Sequence, residues 1–204
     1  MENIMAKKKD LRQRREEQIY EAALKVFSKY GYYKADVDLI AQKAKIGKGT
    51  VYRYFESKKN LFISLVEWGL NKLKGEVLTN IEGIDDEIEK ITTALEVYVN
   101  FYKSKKGFYR VLVYEKYNFM DKIASKFKKT HFAHLHTIEN VFQTGIQKGV
   151  FKNIDTKSTA IALMGMTDAL IFKMLFENKR PRFEDELSIL TEIFFSGILI
   201  KEEN

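Results

Sequence analysis

The chain has 204 residues, of which 45% are hydrophobic and 31% charged, a balance that fits a globular protein of one or two domains and excludes a disordered one. It contains no cysteine, which excludes disulfides, thiol chemistry and thiolate metal sites and fits a cytoplasmic protein. The net charge of +7 is carried entirely by residues 1–61, with 15 Lys/Arg against 8 Asp/Glu, whereas residues 62–204 hold 20 of each. A polyanion is therefore expected to meet the N-terminal part.

No apolar signal-like segment opens the chain and no run of about 20 apolar residues is evident, so neither secretion nor a membrane partner is expected. A single proline, Pro181, and the scarcity of alternating apolar runs predict an all-α fold. Residues 1–10, with Lys7, Lys8 and Lys9, read as an arm ahead of the first helix. Residues 11–30 form that helix, because Ile19, Ala22, Ala23, Val26, Phe27 and Tyr30 line one face. Gly31 is expected to end it as a left-handed cap.

Residues 36–55 predict two short helices joined by a tight turn. Asp36 can accept the free N–H groups of the first helix, and Val37, Ile40, Ala41 and Ala44 make its apolar face. Ile46 plugs the corner. Val51 and Phe55 turn the second helix inward, leaving Lys48, Gly49, Thr50, Tyr52, Arg53 and Tyr54 outside. Such a pair is a helix-turn-helix, whose second helix enters the DNA major groove.

The run Gly31-Tyr32-Tyr33, then Val37-Asp38-Leu39-Ile40-Ala41, Ala44, Ile46, Lys48-Gly49-Thr50-Val51-Tyr52-Arg53-Tyr54-Phe55, Ser57-Lys58 and Leu61 resembles the N-terminal domain of tetracycline-repressor-like (TetR/AcrR-type) regulators. The resemblance covers roughly residues 14–62. It implies a DNA-binding domain at 1–56, a helical ligand-binding and dimerisation domain at 57–204, and about nine helices in all. Three positions depart from the family pattern. Asp36 stands where a Ser or Thr is usual and would repel a phosphate. Lys45 replaces a turn glycine, and Gly47 replaces a Ser or Thr cap.

Thr50 and Lys48 are the expected base-reading residues, with Gly49 permitting close approach and Arg53 reaching a base or a phosphate. Tyr52, Tyr54 and Lys58 are expected on phosphates. Asp38 could accept from a cytosine amino group or favour its own helix dipole.

Beyond this head, helices are expected at residues 57–80, 87–103, 108–117, 120–148, 156–177 and 184–200. The helix over 156–177 is apolar nearly all round and must be covered on every side. Asp168 near its centre, and a length judged short for a span, argue against a membrane. A second copy is the simplest cover, which the resemblance also implies, with Ala162, Gly165, Ala169, Leu170, Leu190, Phe194 and Gly197 as candidate interface residues. Trp68, Tyr98, Tyr102, Phe108, Tyr109, Tyr114, His134, Phe142, Met164 and Phe172 are candidates for an apolar or aromatic effector pocket, although most aromatic residues in such a body are core.

His131, His134 and His136 lack an accompanying carboxylate set, so no metal or other cofactor is expected. No nucleophile–base pair or Gly-rich phosphate loop is present, which argues against an enzyme. The expected function is a ligand-responsive transcriptional regulator, most simply a repressor, binding a palindromic operator as a homodimer. The alternative is a dimeric small-molecule-binding protein with weakened DNA binding, a reading kept open by Asp36, Lys45 and Gly47.

Overall fold

A computed structural model of the chain describes residues 2–176 and 183–199, and the side chains of those residues apart from 2–6, 8–9, 114–134 and 183–184. The described residues form an all-α fold of eight helical elements. The first, α1 (Glu2–Lys34), is two helices joined through a non-helical glycine. Gly31 has φ 71° and ψ 169°, which is not the left-handed cap expected but an extended region open essentially to glycine alone. The chain resumes helical geometry at once, and the Ala35 N–H donates to the Gly31 carbonyl at 3.2 Å. α1 also starts earlier than the sequence implied, since residues 2–10 continue the helix. Alanine, methionine and lysine favour helix there, and the exposed Asp10–Arg14 and Arg12–Glu16 pairs, at 3.1 and 3.0 Å, each add a few tenths of a kcal/mol at most.

α2 (Val37–Lys43) and α3 (Lys48–Tyr54) have seven residues each and cannot stand alone. They close over the buried stripe of α1, in which Ile19, Ala23 and Val26 are fully enclosed. α4 (Lys58–Ile81) is capped by Ser57, whose Oγ accepts the Asn60 N–H at 3.1 Å. α5 (Glu87–Ser104) starts on Asp86, whose Oδ1 accepts from the Ile88 and Glu89 N–H groups, both at 2.8 Å.

α6 (Lys106–Gln147) is one helix of 42 residues where two were expected. The assumed break near residues 117–119 contains neither proline nor glycine, so nothing there opposes helix. Its end comes at Gly149, with φ 73° and the Val150 N–H donating to the Gly145 carbonyl at 2.8 Å.

α7 (Thr156–Phe176) is capped by Asp155, which accepts the Ser158 N–H at 2.6 Å; its contacts with Ser158 hold that carboxyl below its ordinary pKa. α7 is 21 residues long and holds an 18-residue stretch of mean hydropathy 1.5, long and apolar enough by composition to cross a membrane, contrary to the sequence estimate of its length. α8 (Phe183–Ile198) completes the described helices.

The chain forms two compact units, residues 1–70 with 107–127, and residues 71–106 with 128–204. The unit containing the head is thus larger than residues 1–56, because it includes the first half of α4 and the opening of α6. Phe108, buried at the start of α6, fills the space left by the missing side chain of Gly69 on α4. In the second unit Phe142 stands edge-on to Phe151 at 5.7 Å and beside Phe194 at 5.9 Å, and Phe151 occupies the space left by Gly145.

Candidate DNA interface and ligand cavity

Packing fixes which face of α3 is free. Val51 and Phe55 are 1% and 6% exposed, and Tyr20 lies between Phe55 and Trp68, with ring centroids 5.3 Å from each. Burial, then the nearby Glu16 carboxylate, pushes the Tyr20 phenol up to about 12, so it serves as a neutral packing element. The turn is clamped from α1, where Gln18 Nε2 donates to the Ala44 carbonyl at 2.6 Å. Asp36 caps α2 as expected, accepting the Asp38 N–H at 2.9 Å. Lys45 carries the turn at φ 51°, a left-handed conformation that costs a side-chain-bearing residue about 1–2 kcal/mol. Gly47 begins α3 without any side-chain cap.

The remaining surface of α3 presents Lys48, Gly49, Tyr52 and Arg53 to solvent, with Thr50 and Tyr54 half-buried beside them. A side chain at Gly49 would meet nothing within 4 Å. The chain's own packing therefore does not need a glycine there, although glycine weakens a helix by about 0.5–1 kcal/mol relative to alanine. Lys48 Nζ pairs with Asp38 Oδ2 at 2.8 Å across the helix pair, and that hydrogen bond raises the ammonium's pKa. The Arg12 guanidinium sits 5.9 Å from the Tyr54 ring centre, which brings a basic residue of α1 beside α3.

Lys58 is engaged inside the unit. Its ammonium donates to the carbonyls of Tyr33 at 3.2 Å and Ala35 at 3.0 Å, and lies 4.8 Å from the Tyr32 ring centre. Two of its three N–H groups are thereby engaged. The first duty of Lys58 is to tie the link between α1 and α2 to the start of α4.

The second unit encloses a cavity of about 80 Å³. Val77, Leu78 and Ile81 of α4, Ile91, Ala94, Leu95 and Tyr98 of α5, Ile138 and Val141 of α6, and Leu163, Met164 and Thr167 of α7 form its mainly apolar wall. Lys74, Lys90 and Thr137 complete the lining. An open groove of about 510 Å³ shares Leu78, Ile81, Lys90, Thr137 and Val141 with it. The Tyr98 hydroxyl donates to Asp168 Oδ1 at 2.9 Å, and burial holds the phenol well above its ordinary pKa. Thr167 donates to the Leu163 carbonyl at 2.8 Å, so its hydroxyl hydrogen is already used.

Residues 19–65 match the family described as bacterial regulatory proteins, tetR family, and residues 85–171 match the tetracyclin repressor-like C-terminal domain. The chain belongs to the TetR family. Among TetR-family relatives, it is 27% identical over 172 residues to the uncharacterized HTH-type transcriptional regulator YhgD of Bacillus subtilis, covering 84% of this chain and 89% of that one. It is 22% identical over 189 residues to the fatty acid metabolism regulator protein of Bacillus subtilis, covering 89% and 94%. The crystal structure of FadR from Bacillus subtilis in complex with stearoyl-CoA superposes with a TM-score of 0.76 at 18% identity, covering 88% of this chain and 97% of that one. TetR-family membership makes this a DNA-binding transcriptional regulator and not an enzyme.

Of the pocket residues proposed for this TetR-family body, Tyr98 and Met164 line the cavity. Tyr102 and Phe142 are buried core that does not border it. Trp68, Phe108 and Tyr109 belong to the other compact unit, where Trp68 stacks on Tyr20. Phe172 is 50% exposed on α7. Tyr114 and His134 lie outside the described side chains. The sequence reading missed Lys74, Val77, Leu78 and Ile81, the second half of α4, because an apolar cavity wall has the same residue types as a core. The one usable sign was that α4 is too apolar around its circumference for a single packed face.

Of the proposed interface residues, Ala162, Gly165, Ala169 and Gly197 are exposed and Leu170 is half-buried. Leu190 and Phe194 are each 8% exposed and belong to the chain's own core. They share the inner face of α8 with Leu187, whereas the outer face carries Ile189 and Ile193, at 54% and 59% exposure. Ile161 on α7 is similarly open, at 51%. The sequence places Ile161 and Ile193 in the apolar surfaces of these two helices and does not single out Ile189, because an apolar residue on a doubly apolar helix does not declare its direction.

Proposed function

We propose that this regulator acts as a homodimeric repressor that binds a palindromic operator and is released by an amphipathic molecule with a long apolar chain. Each copy would place α3 in a major groove, with Lys48 and Thr50 reading bases and Gly49 allowing the helix to approach. Arg53 would serve a base or a phosphate, and Tyr52, Tyr54 and the remaining Lys58 N–H would hold phosphates and fix register. The dimer would form through the exposed sides of α7 and α8, including Ile161, Ala162, Gly165, Ala169, Leu170, Ile193 and Gly197.

The apolar cavity with Lys74 and Lys90 in its lining carries the effector reading. An acyl chain suits the wall, and Lys74 suits an anionic head, whereas Lys90 is already paired with the buried Glu87 at 3.3 Å. The stearoyl-CoA bound by the similar Bacillus subtilis FadR belongs to that chemical class. A cavity of about 80 Å³ is smaller than the roughly 300 Å³ or more usual for a ligand site, so a long chain would have to part its walls. Residues 74–81 of α4 lie in one of those walls, while the same helix begins at Lys58 in the unit of the head. Parting would therefore act on α4 and favour a head spacing that no longer fits the operator. Such coupling is typically worth about 1–3 kcal/mol.

The test is a gel shift of the full-length protein on DNA upstream of its own gene, with excess random DNA, repeated with stearoyl-CoA and with stearate. A specific complex that dissociates with either compound is the expected result. A specific complex indifferent to both would remove the effector assignment, and failure to form one would remove the operator assignment as well.

A further inference from the structure

We propose that Asp38 and Lys48 act as one composite reader that selects a guanine–cytosine pair in one orientation. This rests on α3 being the helix that enters the major groove. Asp38 is the second residue of α2 and Lys48 the first of α3, and their side chains meet at 2.8 Å while remaining 59% and 49% exposed. An exposed pair of this kind adds only about 0–1 kcal/mol of stability, so folding alone gives little reason for it.

Its chemistry toward DNA is more specific. One Lys48 N–H is used on Asp38, leaving two donors, and the Asp38 carboxylate retains free lone pairs beside them. The pair thus offers two donors on one atom beside an acceptor 2.8 Å away. The major-groove edge of G·C presents acceptor, acceptor, donor: guanine N7, guanine O6 and the cytosine N4 amino group. Each group of the pair finds a partner there. The guanine O6 and cytosine N4 are themselves joined by a hydrogen bond of about 2.9 Å, close to the separation of the two protein groups. An A·T edge presents acceptor, donor, acceptor, which leaves a Lys48 N–H against an amino group and Asp38 against a carbonyl.

The pair also restrains Lys48. Held by Asp38, its charge is balanced, so it draws less on the phosphates of any sequence. Asp38 thereby lowers binding to random DNA while raising discrimination between base pairs.

The test is a selection of bound sequences from random duplexes by the full-length wild type, Asp38→Asn, Lys48→Gln and the double exchange Asp38→Lys with Lys48→Asp, each first checked for an unchanged thermal transition. The wild type should select a G·C pair once in each half-site. Both single variants should lose roughly tenfold of the preference at that position and keep the others, on the scale of one base contact. Asp38→Asn should bind random DNA more tightly, with a salt slope steeper by about one unit.

The double exchange swaps the donor and acceptor sides and should turn the preference to C·G at the same position. A merely structural ion pair would be restored by the exchange with the original orientation kept, and that result overturns the proposal. An A·T preference, or a G·C preference untouched by Asp38→Asn, overturns it too. A wild type that selects no sequence would instead defeat the reading of α3 on which this depends.

Discussion

The head and the body both contain aromatic packing, but they expose different chemistry. In the head, short helices are fixed by directed polar contacts: the Asp36 cap, the Gln18 clamp on Ala44, and Lys58 on the Tyr33 and Ala35 carbonyls. The outer face left over is polar, in the part of the sequence that carries the charge excess. In the body, long helices meet through aromatic clusters such as Phe142, Phe151 and Phe194, and the face left over is apolar, with Ile161, Phe172, Ile189 and Ile193 open. A wet, polyanionic partner suits the first surface and an apolar partner the second. Substitutions should accordingly act on different observables in the two regions.

The largest effect is expected from Ile193→Glu in the body. A charge on the open face of α8 should convert the proposed dimer to a monomer in sedimentation, with little change in helix content. Because two linked half-site contacts can exceed one by about 10²–10⁴, operator affinity should fall at least a hundredfold with the head untouched. A dimer that survives would show that this face is not the interface.

Gly49→Ala comes next, and it separates stability from function in the head. The added methyl meets nothing within the chain and removes a helix-weakening glycine, so the denaturant midpoint should rise by the equivalent of about 0.5–1 kcal/mol. Operator affinity should nevertheless fall roughly tenfold or more, the scale of one base contact. Affinity unchanged alongside the gain in stability would place α3 too far from the bases for that glycine to matter.

Lys58→Ala should lower the unfolding free energy by about 1–3 kcal/mol, because two backbone carbonyls lose a charged donor and the Ala35 carbonyl is part-buried. If its third N–H meets a phosphate, the salt slope of DNA binding should also flatten by about one unit. A flatter slope without lost stability would reverse the two roles assigned to this lysine.

The same contrast explains what could be read from residues alone. The head was legible because its task demands particular residues at short fixed spacing: a cap at Asp36, an inward Val51 and Phe55, a polar outer face. The all-α fold and the helix ends at Asp155 and Gly149 were legible for the same local reasons. The body was not, because direction around a helix is decided by neighbours far away in the chain. Phe142 and Phe172 look alike in sequence, yet one is fully buried and the other is half open. The merger of two expected helices into α6 is a local matter instead, since residues 117–119 hold neither proline nor glycine to break a helix.

The smallest effect expected is also the most local. Lys45 holds the turn of the helix pair at φ 51°, where the family pattern has glycine and where a side chain costs about 1–2 kcal/mol. Glycine would remove that strain but would also gain entropy in the unfolded chain, which offsets about 0.4–1 kcal/mol. Lys45→Gly should therefore stabilise the protein by roughly 0.5–1 kcal/mol. Lys45→Asn tests the same strain without the full entropic offset, since asparagine tolerates the left-handed region. If the two compact units unfold in separate steps, only the transition of the head should move. A gain in the transition of the body would mean that the turn is coupled to residues beyond its own unit, and that the contrast between head and body is less complete than their packing implies.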